Sequence, residues 1–498
     1  MSSSAVSRPP DARDTIATAG APISWDAPAR GAYTRQLRFG EWIYEPVTPL
    51  FESWLLSTME ERLHERLREW TGQRAPLPHH VVVNGWYFYS INWLTNPASL
   101  PGMLWHLVRS PRRVAGMFPP TVRFSIGLFE REWREEVLPR HRAAVRAAEA
   151  SVETVAVEEL PPLIDELAAM AGDYFASLAA FAGAAYKMEM LVARFYRRHL
   201  APSLGGSHLP LLTGFERPRQ AGGHAVSSLD WWYPVIVSQG GGDDERGHAQ
   251  IVAARHAAEA AAFAALAGSP RRLRSFQELL RDSQRLVPIR EQHVAELTLG
   301  WPVMRRAVLR IGEALVARGQ LADADDVYFL SRKELLAALD GERTTAHATG
   351  RRAQRDQQAR LVPPDTVGRP NRFLARAWEA FPRMIGAVPS GAAIVSGVPA
   401  SPGRVTAPVR VIRGPADFDQ LRAGEILVAP LTAPAWTPLF ERAAAVVTDI
   451  GSAAAHASII AREYGIPAVV GCGQATTLLR DGMLVTVDGS TGNVEPAA

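Results

Sequence analysis

From residue 393 onward, short β-rich apolar runs alternate with short helical pieces, a pattern that few architectures other than a compact α/β domain can satisfy. The apolar runs fall at 409–412, 426–428, 445–447, 468–470 and 484–487, and the helical pieces near 435–442, 455–464 and 474–479. Upstream, from about 36 to 385, the texture is helical. Leu163, Leu167, Met170, Tyr174 and Leu178 recur at three- and four-residue spacing within 130–200. An alanine-rich helix is predicted over 246–267, ended by Gly268-Ser269-Pro270. Another long helical stretch is predicted over 273–318, kinked at Pro288 and Pro302 and stopped by Gly319. Val81-Val82-Val83 and the run 86–89 flank Asn84-Gly85, the signature of a β-hairpin. Eleven of the thirteen tryptophans lie in this zone, so any aromatic-lined pocket belongs there.

Residues 1–35 are small and polar and read as a disordered tail. The stretch 342–392 reads as a helical strut followed by a linker, because Pro363-Pro364, Gly368, Pro370 and Gly391 punctuate it. The expected division is therefore a helical domain over 36–385, a linker over 386–392 and an α/β domain over 393–498, in line with the roughly three domains that this length suggests.

Composition excludes several classes of function. Cys472 is the single cysteine, so disulfide scaffolds and cysteine-based zinc sites are ruled out and a reducing compartment is expected. Basic and acidic residues nearly balance (54 against 51, net +3) and are interspersed, which argues against a nucleic-acid partner. The polar N-terminus resembles neither a signal peptide nor a membrane anchor, so a cytoplasmic protein with no membrane partner is expected. The acidic loop 240–245 reads as a solvated turn rather than a Mg²⁺ site, and the histidines lack metal-ligand spacing, so no metal site is expected within the chain.

The chemistry concentrates at 445–471. A buried strand runs into a small-residue loop with Gly451 and Ser452, a helix opens near Ala454, and Gly465 with Pro467 stops it before another strand. His456 thus falls in the first helical turn among alanines that cannot shield it. The N–H groups and positive dipole end of such a turn favour a phosphate, and they favour the neutral, nucleophilic imidazole. A lone histidine is more often an ordinary core or surface residue; here the surrounding pattern points to chemistry.

That pattern resembles the phosphohistidine swivelling domain of the phosphoenolpyruvate-utilising enzymes, a family that includes phosphoenolpyruvate synthase, rifampicin phosphotransferase and phenylphosphate synthase. The matching pieces are Gly397-Val398-Pro399-Ala400-Ser401-Pro402-Gly403, Gly424-Glu425-Ile426-Leu427-Val428-Ala429-Pro430, the His456 segment and Asp481-Gly482 through Gly492. Upstream, Glu45-Pro46-Val47-Thr48-Pro49-Leu50, Asp325-Asp326-Val327-Tyr328-Phe329-Leu330 and the pair Arg290-Glu291 resemble parts of the family's acceptor domain. The resemblance implies a multidomain protein: a large, mostly α-helical (α+β) substrate domain followed by a small α/β phosphohistidine swivelling domain. It implies that His456 becomes phosphorylated, and that Arg290 and Glu291 line the phosphate and acceptor site together with Gly451 and Ser452.

The sequence also departs from the family. Ala454 and Ala455 stand where hydroxyl residues are common, and Val294 stands where a basic residue is common, which leaves the adjacent His293 or another arginine to substitute as the cation. No ATP-grasp domain is recognisable, so ATP and Mg²⁺ are expected to act through a separate ATP-grasp subunit, with a small-molecule hydroxyl or carboxylate as acceptor. A catalytically silent ligand-binding or scaffolding subunit is the alternative reading.

Overall fold

The computed structural model describes residues 23–35, 42–43, 45–74, 78–90, 99–116, 121–215, 224–237, 245–342, 345–369, 393–451 and 455–497. The N-terminal region is mostly helical. Its first helix enters at Pro49, where the Thr48 hydroxyl accepts from the Phe51 N–H. It passes through a π-helical turn at Glu52–Leu56 and continues as α1 (Ser57–Thr71). Then come α2 (Leu138–Ser151), α3 (Leu160–His199), α4 (Glu245–Leu266), α5 (Pro270–Leu297), α6 (Trp301–Ala317) and α7 (Thr345–Gln358).

The 40-residue α3 is the axis, with α1 and α5 packed along it. It is long and apolar enough to cross a membrane, but 67% of its apolar window is buried inside the protein, so its apolar faces are spent on the core. Trp54, Trp133, Tyr174, Trp231 and Trp301 fill that core, each burial stabilising by about 1.5–3 kcal/mol.

Several boundaries differ from those expected. Pro302 does not kink a helix. The chain breaks at Thr298–Gly300, and Pro302 sits in the first turn of α6, where its missing N–H costs nothing. Pro288 does lie inside α5. Ala32–Thr34, within the stretch expected to be a tail, forms strand β1. It pairs with β3 (Trp86–Ser90) and with β6 (Thr366–Gly368), which had been read as linker. Neither short strand carries enough alternation to be visible locally; each is set by pairing with a distant partner. The sheet runs β2-β3-β1-β6, with β2 (His80–Val83) and β3 joined through Asn84 (φ 49) and Gly85 (φ 80), the left-handed pair that a primed hairpin turn requires. Strands β4 (His224–Val226) and β5 (Val235–Val237) form a separate ribbon. The linker proper, 386–392, lies outside the described residues.

The C-terminal domain holds an eight-stranded mixed sheet. Its strands are β7 (Val395–Ser396), β8 (Val398–Ser401), β9 (Arg404–Val411), β10 (Ile426–Ala429), β11 (Ala445–Thr448), β12 (Ala468–Val470), β13 (Leu484–Asp488) and β14 (Asn493–Pro496). Their order is β7-β14-β13-β9-β10-β11-β12-β8, and β9 through β12 are parallel. The three central strands β10, β11 and β12 are buried on both faces, as their uninterrupted Val/Ile/Leu/Ala runs require. Alternate residues feed two cores: Leu427 and Val446 on one face, Ile426, Val428, Ala445 and Val447 on the other. Helix α8 (His456–Tyr464) covers the first face through Ala457, Ile460 and Ala461.

Candidate functional site

Strand β11 ends at Thr448 and the chain turns through Gly451 at φ +155, where a Cβ would stand 3.0 Å from the Val470 side chain. Helix α8 then opens at His456. Its cap residue, Ala455 (φ −70, ψ 160), supplies no side-chain oxygen to the first turn, and its carbonyl accepts from the Ser458 N–H at 3.1 Å.

The His456 side chain is only 11% exposed, and its Nδ1 lies 3.8 Å from Glu291 Oε2. Its Nε2 lies 3.5 Å from Thr437 Oγ1, whose own proton is donated to the Pro434 carbonyl at 2.8 Å. The Phe440 ring meets the imidazole edge-on. Glu291 belongs to α5, so this contact crosses from the C-terminal domain to the helical region. Arg290 and Glu291 are both buried there. Arg290, with Glu189, Leu212 and Ser283, forms one side of a small cleft; Ile459 and Arg462 of α8 form the other.

The fold therefore brings His456 to Glu291, while Arg290 lines the cleft against Ile459 and Arg462 of the same helix, with Gly451 in the turn after β11. Ser452 lies outside the described residues, as does most of the acidic loop at 240–244. His293 does not join the cluster, and the expectation that it supplies a cation is corrected. Two residues beyond Glu291 is about 200° around the helix. There the His293 ring is fully buried, tilted against Trp133 and Phe181 with ring centroids 3.7 Å and 4.8 Å away. Burial drives its pKa down to about 3 despite a bond to the Ile289 carbonyl, so the ring is neutral and packs as an aromatic.

Other residues at this interface were not anticipated. Arg462 donates from Nε to the Ala400 carbonyl (2.7 Å) and from Nη2 to Glu189 Oε1 across the interface (3.1 Å). Burial pushes the Glu189 carboxyl up, but Arg462 and His208 outweigh it, and the group sits below its ordinary value. Glu463 is buried beside Phe215 and Arg255 of the helical region. Desolvation lifts its pKa to about 8 although the Phe215 N–H, Arg255 and Arg462 all pull it down, and Glu291 adds a smaller upward push. Gly465 closes α8 at φ +65 with room for no more than a tight contact to Ile251 of α4. A sequence signal did exist: His456, Ile459, Arg462 and Glu463 fall at i, i+3, i+6 and i+7, one stripe of a helix. Among the described residues, no three His, Cys, Asp or Glu side chains converge to hold a metal ion.

Residues 421–492, which enclose His456 and all of α8, match the family of the PEP-utilising enzyme, mobile domain. Over these residues the C-terminal domain is similar to the mobile domain of PEP-utilising enzymes. Relatives align with the C-terminal part of the chain. The uncharacterized phosphotransferase YvkC of Bacillus subtilis is 39% identical over 192 residues, covering 38% of this chain and 23% of its own length. A rifampicin phosphotransferase of a Streptomyces species is 40% identical over 195 residues, covering 39% of this chain and 22% of its own. The phosphoenolpyruvate synthase of Aeropyrum pernix is 46% identical over 146 residues, covering 28% of this chain and 18% of its own. The chain thus spans about a fifth of the length of the curated relatives it matches.

Proposed function

We propose that this chain is the phosphohistidine carrier and acceptor-binding part of an ATP-dependent, dikinase-type phosphotransferase. The mobile domain carries a phosphoryl group on His456 and delivers it to a small-molecule hydroxyl or carboxylate held by the helical region. ATP with Mg²⁺ on a separate ATP-grasp subunit supplies that group, and none of this chain's side chains is assigned to Mg²⁺.

In the transfer step the acceptor oxygen forms a P–O bond as the P–N bond breaks, and the bonding pair returns to the imidazole. A hydroxyl acceptor gives its proton to the Glu291 carboxylate, which stands beside the ring. Arg290, a planar donor that suits phosphate oxygens, offsets the charge of the moving group. The α8 amides serve the phosphorylated resting state. Burial of the site between the two regions keeps water from the labile P–N bond. One observation carries this reading: the histidine of the C-terminal domain meets the buried Glu291 of the helical region, next in sequence to the buried Arg290.

Intact-mass analysis tests it. The chain is incubated with ATP, Mg²⁺ and a purified ATP-grasp subunit of a dikinase-type phosphotransferase. An acid-labile gain of one phosphoryl group, absent in His456→Ala, is expected. A folded chain that gains nothing, or gains the group equally in His456→Ala, overturns the assignment and leaves the silent binding subunit.

A further inference from the structure

The helix Leu100–Arg109 has no buried residue. Leu100, Leu104, Trp105, Leu107 and Val108 are each between 52% and 83% exposed, five of the thirteen exposed large apolar side chains among the described residues. At 100° per residue these five fill one continuous arc of about 160°, with Arg109 at its edge. A contiguous apolar face of this kind, left in water, costs solubility and marks a docking surface.

Charge decides what docks. No Asp or Glu occurs between Glu69 and Glu130, sixty consecutive residues in a chain that has 51 acidic residues in 498. The same stretch contains Arg74, Arg109, Arg112, Arg113 and Arg123. Arg113 is tied to Glu132 at 2.9 Å, whereas Arg109 and Arg112 are exposed beside the apolar arc. A second copy of the chain would set these cations against themselves, with no carboxylate in the segment to answer them. An anionic lipid surface answers both halves: acyl chains take the leucines and valine, tryptophan suits the boundary, and headgroup phosphates take the arginines.

We propose that helix Leu100–Arg109 seats this protein on an anionic bilayer surface, its apolar arc entering the headgroup boundary and Arg109 and Arg112 meeting lipid phosphates. The helix lies in the plane of the surface and spans nothing. Membrane contact delivers the acceptor region to amphipathic molecules concentrated there.

Co-sedimentation of the full chain tests this, with vesicles of phosphatidylcholine alone and vesicles containing about 30% phosphatidylserine, the anionic lipid that attracts polybasic segments. Selective pelleting with the anionic vesicles is expected, weakening as salt rises. Each of Arg109→Ala and Arg112→Ala lowers the partition constant about fivefold, and Leu104→Glu with Val108→Glu abolishes binding. The arginine variants are surface changes that leave folding intact, so they decide the matter even if the glutamates disturb the helix. Equal binding to both vesicle types, or arginine variants that bind as the parent does, overturns the proposal. So does a concentration-dependent dimer by light scattering that Leu104→Glu dissolves, because the face would then belong to a copy of the chain.

Discussion

Glu463→Gln isolates the electrostatics of the domain interface. The Glu463 carboxyl has an ordinary value of 4.5 and is lifted to about 8 where it is buried against the helical region. Below about pH 4.5 the buried and the solvated forms both hold the proton and the group is silent. Between 4.5 and 8 the solvated form ionises and the buried form does not, so the seated state loses about 1.4 kcal/mol per pH unit. Above 8 the loss is constant, on the order of 3–5 kcal/mol. The sign is that of a raised acid: stability is greatest in acid and falls as pH rises.

Glutamine keeps the shape and an oxygen for the Phe215 N–H but cannot ionise. Arg255 on α4, Glu291 on α5 and Arg462 on α8 itself face the group and remain in both proteins, so the difference between the two pH profiles belongs to residue 463. Thermal unfolding of parent and Glu463→Gln from about pH 5 to about pH 9 is the assay. The Tm values start close together in acid and separate by several degrees at alkaline pH, with the glutamine form the more stable. Parallel profiles would refute the reasoning, since they would mean that the carboxyl is hydrated or that the interface does not seat it.

Two further outcomes follow from the same contacts. Glu291→Gln should leave the phosphoryl gain on His456 intact and slow its hand-over to a hydroxyl acceptor by about 10²–10⁴-fold, the usual worth of a general base; rapid-quench measurement of each half-reaction separates the two, and equal slowing of both argues against a base. Arg462→Ala leaves the mostly covered Glu189 carboxylate, 13% exposed, without its main cation and should cost up to about 3 kcal/mol in urea unfolding, whereas Arg462→Met combined with Glu189→Leu should recover much of it.

What could be read from the sequence was what the chain writes locally. The central strands announce themselves as short buried runs, the hairpin through Asn84-Gly85, and α8 through its small residues, Gly465 and Pro467. His456, Arg290 and Glu291 stood out because they sit in recognisable segments, and the fold places His456 beside Glu291. What stayed hidden depends on tertiary context. His293 looked like a spare cation until the rotation of α5 turned it into the aromatic core. Thr437, Glu189 and Glu463 look ordinary in a linear reading; Thr437 acquires meaning only when the C-terminal domain folds it against His456, and Glu189 and Glu463 only when α8 lies against the helical region. The strands at 32–34 and 366–368 find each other across more than 330 residues, a pairing that no local pattern encodes.

Helix α8 has one further consequence. Its nine residues hold both the reactive ring and the grips that fasten the domain, Arg462 and Glu463, with Gly465 just beyond. The plug and the live contact are a single moulded part. Retooling such a machine for a new cargo therefore need not touch the carrier: a foreign receiving module would be accepted if it offered a counter-charge at the Glu189 position, an amide where Phe215 stands and a shallow seat like that of Ile251. Chimeras that transplant those three features would inherit delivery, and those that transplant only the cargo cleft would not.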